Sequence, residues 1–208
     1  MVPVKLGKIR RALASLGKRI YWRFMTQKMN LWMLSSMAFA VTKKYEEIFD
    51  GDTGLAIDTF TEQFVNGATS IMYELLGTMK MFFSKSLTDL EFLSSVALYV
   101  VLGPDWNDFF EEPIYVPGEK TEDGIPQLIM RQTKCVLCTG LRPGIDLDHT
   151  KFKENSYGEL LAKALVALLQ MIQDYVGNEY NLVVKETKCL LRGDSFNEGV
   201  TFFFPKEE

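Results

Sequence analysis

Histidine is almost absent from this sequence, with one copy, and cysteine is scarce, with three. One histidine cannot supply an HExxH metal motif. Three cysteines in 208 residues do not make a disulfide framework and point to a reducing compartment. No uncharged run is long enough to cross a bilayer. The longest near the start, Met29 to Thr42, falls short of the about 20 residues a span needs. Ala38-Phe39-Ala40 has the form of a leader cleavage site, but the stretch before its apolar run is far longer than a usual charged leader region. The expected location is therefore cytoplasmic. No Walker loop, GxGxxG or Ser-His-Asp set occurs, so the chain reads as a protein that binds or scaffolds, with no catalytic residues and no cofactor. Acidic residues are missing from the first 45 positions, which hold ten Lys and Arg; the first is Glu46.

What is present suits one folded domain. The chain is 47% hydrophobic and 24% charged, ordinary for a globular protein. The net charge is −4, so the body after the basic start is strongly acidic, which argues against nucleic-acid binding. Leu6, Ile9, Leu13, Leu16, Ile20 and Phe24 recur at three- and four-residue spacing and predict an amphipathic helix over 4–24. Lys8, Arg11, Lys18, Arg19 and Arg23 fill much of its remainder. Residues 1–28 thus form a basic helical unit ahead of an α+β domain over 29–208.

Within that domain, helices are expected over 27–49 and 55–83. A third runs from a cap at Ser86 or Thr88 to the Gly103-Pro104 stop, and a fourth from Asn155 or Ser156 to about Val176. Gly177-Asn178 fits a left-handed helix end. Candidate strands are 114–116 and 127–137, followed at the end by a hairpin of 181–191 with 199–204 around a turn at Arg192–Gly199. Helices first, then strands separated by one long helix, is an α+β order: a helical layer packed on a small antiparallel sheet.

Three features carry candidate chemistry. The basic helix could meet an anionic membrane surface, making the protein peripheral to a membrane. Alternatively its apolar stripe packs on the domain or on a partner subunit, leaving the charges in solvent. Cys135, Cys138, Cys189 and His149 form a candidate zinc quartet; the other reading makes Cys135 and Cys189 small buried hydrophobes in adjacent strands, and no metal is assigned. His149 lies among Asp146, Asp148 and Glu154, in a loop that reads as a solvated turn.

The element order resembles that of the small core subunits of the TRAPP vesicle-tethering complex and the related 4-vinyl-reductase-type domains. The likeness rests on Leu93-Ser-Ser-Val-Ala-Leu-Tyr-Val-Val-Leu-Gly103 with Pro104 and Trp106. It rests equally on the helix opening at Tyr157-Gly-Glu-Leu-Leu and running to Met171, and on Glu186-Thr-Lys-Cys189 before Gly193-Asp194 and the apolar Val200–Phe204. It covers about residues 29–204. It implies an assembly module, a homodimer or a heterodimer with a TRAPP-like subunit, acting in membrane trafficking with a small GTPase as a further partner. The alternative it implies is a sensor for a hydrophobic small molecule. It also implies an apolar channel, whose lining would include Phe60, Phe64, Ile71, Phe82, Phe83 and Phe92, although aromatics at helical spacing are more often plain core. Some members acylate a cysteine where this chain has Phe83, so permanent acylation is not implied.

Overall fold

The computed structural model describes residues 4–24, 31–79, 82–138, 157 and 159–206. Among these residues five helices, α1 (Lys8–Phe24), α2 (Leu31–Ile48), α3 (Thr53–Met79), α4 (Leu90–Leu102) and α5 (Glu159–Val176), accompany four strands, β1 (Ile114–Val116), β2 (Gln127–Gln132), β3 (Tyr180–Lys188) and β4 (Asn197–Pro205). The architecture is α+β, with the sheet antiparallel throughout in the order β1-β2-β4-β3.

Local chemistry accounts for several boundaries. Asp50 and Gly51 take positive φ after α2, and Asp52 then accepts the Leu55 N–H at 3.0 Å, an N-cap for α3. Gly177 takes φ 73° while the Asn178 N–H reaches back to the Gln173 carbonyl at 2.9 Å, the Schellman ending expected of Gly-Asn. The start of α4 differs from expectation. Neither Ser86 nor Thr88 caps it; their hydroxyls hydrogen-bond each other at 2.7 Å, and a 3₁₀ turn over Leu87–Asp89 leads into the helix. Strand β2 is also shorter than its apolar pattern predicted. It stops at Gln132, and Val136–Cys138 form a 3₁₀ turn whose side chains join the core beside α2.

One face of the sheet is the core face. Leu128, Thr201 and Val184 lie in register across β2, β4 and β3, as do Phe203 and Leu182. Leu128 and Phe203 are fully buried with Leu90 and Leu169, so α4 and α5 meet over the sheet. A Cβ on Gly199 would touch Ala162 at 3.7 Å, which shows how closely α5 lies on β4. The start of the β3 edge is also covered: Gln170 of α5 donates to the Tyr180 carbonyl and accepts the Leu182 N–H, at 2.9 and 2.8 Å. Behind this layer α3 packs on α5 and α2 on α3, and α1 lies on α4.

Phe203→Ala is expected to destabilise the protein by about 3–5 kcal/mol, through lost burial plus the cavity left among Leu128, Leu90 and Tyr180. Urea denaturation measures it. A loss below about 1 kcal/mol would mean that this face of the sheet is not packed as described.

Candidate functional site

The best-defined polar constellation is the seam between α1 and α4. Asp89 is fully buried, yet its carboxylate is satisfied from three sides. It accepts the Leu6 backbone N–H at 2.7 Å and the Ser84 hydroxyl at 2.6 Å, and it forms an ion pair with Arg11. Burial pushes the carboxyl up, but the hydrogen bonds from Ser84, Leu6 and Arg11 with the Arg11 charge outweigh it and hold it below the ordinary carboxylate value. Further along, the Arg11 guanidinium lies 5.3 Å from the Phe92 ring and Lys18 Nζ 4.6 Å from the Tyr99 ring. At the far end Trp22 covers Gly103 so closely that any Cβ there would come within 2.4 Å of the indole. Ala14 is buried and Gly17 faces Phe82, small residues where the helix approaches the body.

This docking reverses the sequence expectation for α1. The covered side is the one opposite the apolar stripe, which carries Arg11, Ala14, Lys18 and Trp22. The apolar stripe, apart from Leu6 in the segment before the helix, points outward: Ile9, Leu13, Leu16, Ile20 and Phe24 are between 49% and 78% exposed. The reading in which the stripe packs on this domain is therefore overturned. The cause is tertiary: the Asp89 charge and the α4 rings engage Arg11 and Lys18, which only the opposite side of α1 presents. Of the five predicted basic residues, Arg11 and Lys18 lie in the seam, where burial lowers the Lys18 pKa. Lys8, Arg19 and Arg23 stay exposed.

Beside the seam lies an open groove of about 500 Å³, lined among others by Lys18, Glu91, Phe92, Tyr99, Trp106 and Glu112. Its acids are already engaged: Glu91 accepts the Tyr115 N–H at 2.8 Å and Glu112 accepts the Ser95 hydroxyl at 2.9 Å.

A second exposed surface belongs to α2. Trp32, Met33 and Met37 are each more than half exposed, with Val41 beside them, and no charged residue occurs between Leu31 and Thr42. The opposite face is buried through Ser35, Ala38 and Thr42, with the Ser35 hydroxyl donating to the Leu137 carbonyl. Ala38, in the leader-like triplet, is thus part of the core.

The aromatic candidates are distributed. Phe60 and Phe64, with ring centroids 6.2 Å apart, pack against the cluster of Ala38, Ile57, Leu137, Tyr157 and Leu160. Phe83 belongs to another cluster with Met171, Ile172 and Val176 and meets the Tyr175 ring edge-on at 6.0 Å. Phe92 and Phe82 face α1. The Ile71 side chain lies outside the described residues. Tyr157 is fully buried and its hydroxyl is pushed up by burial, with the nearby Thr42 acting against that.

Two of the four candidate zinc ligands are engaged with each other. Cys135 and Cys138 are joined as a disulfide, and a thiol consumed in that bond is not a thiolate ligand. Cys189 is the free, buried thiol, its pKa raised by burial and by the Glu186 charge. Cys135 lies beyond the end of β2, so the alternative placing it in a strand adjacent to Cys189 also fails. No group of three metal-capable side chains occurs among the described residues. His149, Asp146, Asp148 and Glu154 lie outside them. Among the described residues no helix is long and apolar enough to cross a membrane.

Sequence reasoning missed Asp89 as the hub of the seam and Trp22 as its far anchor. The available signal was Ala14, a small residue away from the apolar stripe, on the side of Arg11, Lys18 and Trp22. Comparisons with protein-family models and with curated proteins found no match.

Proposed function

We propose that the protein is a non-catalytic assembly module of the TRAPP small-subunit type, working as a homodimer or beside a similar subunit in membrane trafficking or small-GTPase regulation. The observation that carries this reading is the uncharged apolar face of α2. Trp32, Met33 and Met37 form a surface rich in the residue types that anchor interfaces, and the absence of charge over that stretch removes the desolvation cost that charged side chains would bring. The α+β architecture and the long α5 between sheet strands are compatible with the family likeness of residues 93–106 and 157–204.

Sedimentation velocity on the purified chain tests it. A dimer is expected, and Met37→Asp should weaken dimerisation at least tenfold, since a desolvated charge at an interface core costs well over about 1.4 kcal/mol. Met37 is exposed, so the far-ultraviolet circular dichroism should not change. A wild-type monomer that neither pairs with a TRAPP-like subunit nor binds small GTPases would remove the proposal. The second reading, a sensor for a hydrophobic molecule, has less support, because Phe60 and Phe64, Phe83, and Phe92 with Phe82 sit in three separate surroundings.

A further inference from the structure

We infer that α1 is a prebuilt, fixed membrane-contact helix that lies flat on an anionic lipid surface. Three observations carry this. First, the helix is held by the side opposite its apolar stripe. Asp89 takes Arg11 and the Leu6 N–H, Lys18 lies on Tyr99, and Trp22 covers Gly103. The stripe is therefore displayed outward by a rigid support, rather than exposed for want of contacts.

Second, the stripe has the dimensions of a shallow insertion edge. From Ile9 to Phe24 it runs about 22 Å at 1.5 Å per residue. Every member is at least 49% exposed.

Third, charge identifies the occupant. At 100° per residue, Lys8, Arg19 and Arg23 border one side of the stripe and Arg10 borders the other, and all four are exposed. Residues 1–45 contain no acid. A second copy docked stripe to stripe would bring two such basic borders together, whereas anionic headgroups would neutralise them. Lysine and arginine flanking an apolar helical face is the pattern of a helix lying in a bilayer interface. The α2 face, with no charge along its first dozen residues, lacks this border and suits a protein partner instead. The two surfaces are separate, so this inference does not rest on the assembly reading.

The test is co-flotation of the full chain with vesicles. On equal phosphatidylcholine and phosphatidylserine the protein is expected to float. It should remain at the bottom with phosphatidylcholine alone, and binding should weaken as salt screens the headgroups. Leu13→Ser with Leu16→Ser and Ile20→Ser keeps every charge and should reduce binding at least tenfold. Arg19→Gln with Arg23→Gln keeps the stripe and should reduce it about 25-fold, at about fivefold per basic residue. The side chains changed are exposed, and unchanged thermal midpoints confirm that both variants are folded. Three results would overturn the inference: failure of the wild type to float on anionic vesicles, flotation indifferent to the stripe variant, or a stripe variant that turns a dimer into a monomer, which would make a second copy the occupant. A monomer that floats would support the membrane helix while removing the homodimer form of the assembly reading, leaving pairing with a similar subunit.

Discussion

Gly103→Ala should lower the stability of this protein by about 4 kcal/mol, a shift of roughly 8–16 °C in the thermal midpoint for a chain of this size. Two independent causes combine. Gly103 ends α4 with φ 92° and ψ −166°, a region essentially confined to glycine, in which an L side chain is strained by about 1–3 kcal/mol. In addition the new Cβ would sit 2.4 Å from Cζ2 of Trp22 and 2.7 Å from Cε2. The indole is a rigid ring, so the helix carrying it must move, and overpacking of this kind costs about 1–3 kcal/mol. A double-mutant cycle separates the two. In a Trp22→Ala background the clash is gone and only the backbone strain remains, so Gly103→Ala should cost about half as much there. If Gly103→Ala were within about 1 kcal/mol of wild type by chemical denaturation, neither the left-handed backbone nor the Trp22 contact could be as described.

Asp89→Ala should cost about 3 kcal/mol near neutral pH. The substitution leaves Arg11 without its partner and the Leu6 N–H and Ser84 hydroxyl without their acceptor. Breaking a buried pair from one side costs about 3–5 kcal/mol, and the lower end applies because Arg11 keeps some access to water. Because α1 packs mainly on α4, the first sign should be faster proteolysis within its lysine- and arginine-rich sequence.

The same site predicts an acid response. The Asp89 carboxyl is held below its ordinary value in the folded protein, so the folded state binds fewer protons there than the unfolded state. Its contribution is fully present above the unfolded value of about 4 and is lost as pH falls through the lower folded value. Wild type should therefore lose stability on acidification in that window, and Asp89→Ala should lose less. Equal slopes for the two proteins in denaturation series at several pH values would show that Asp89 is not the charged hub of the seam.

Much of the framework was legible in local residue patterns. Periodicity with a Gly-Asn stop defines α5, Gly103-Pro104 ends α4, and alternating apolar residues around Gly193-Asp194 define the final hairpin. These are local signals: helix ends and turns depend on residues within a few positions of each other. The same locality explains the overextended β2, where Cys135–Leu137 continue an apolar pattern although the chain has already turned. It also explains why Ser86 and Thr88, correct for a cap by spacing, do not act as one.

Which side of α1 is covered was settled by long-range packing. Its amphipathic pattern is clear in the sequence and ordinarily means that the apolar stripe is buried. Here Arg11 meets Asp89 across 78 positions and Trp22 meets Gly103 across a similar span, and such partners cannot be read from the helix alone. The division of Phe60, Phe64, Phe82, Phe83 and Phe92 among separate packing clusters was decided in the same way. Burial is a property of what comes to lie opposite a side chain, and that is fixed when distant segments of the chain meet.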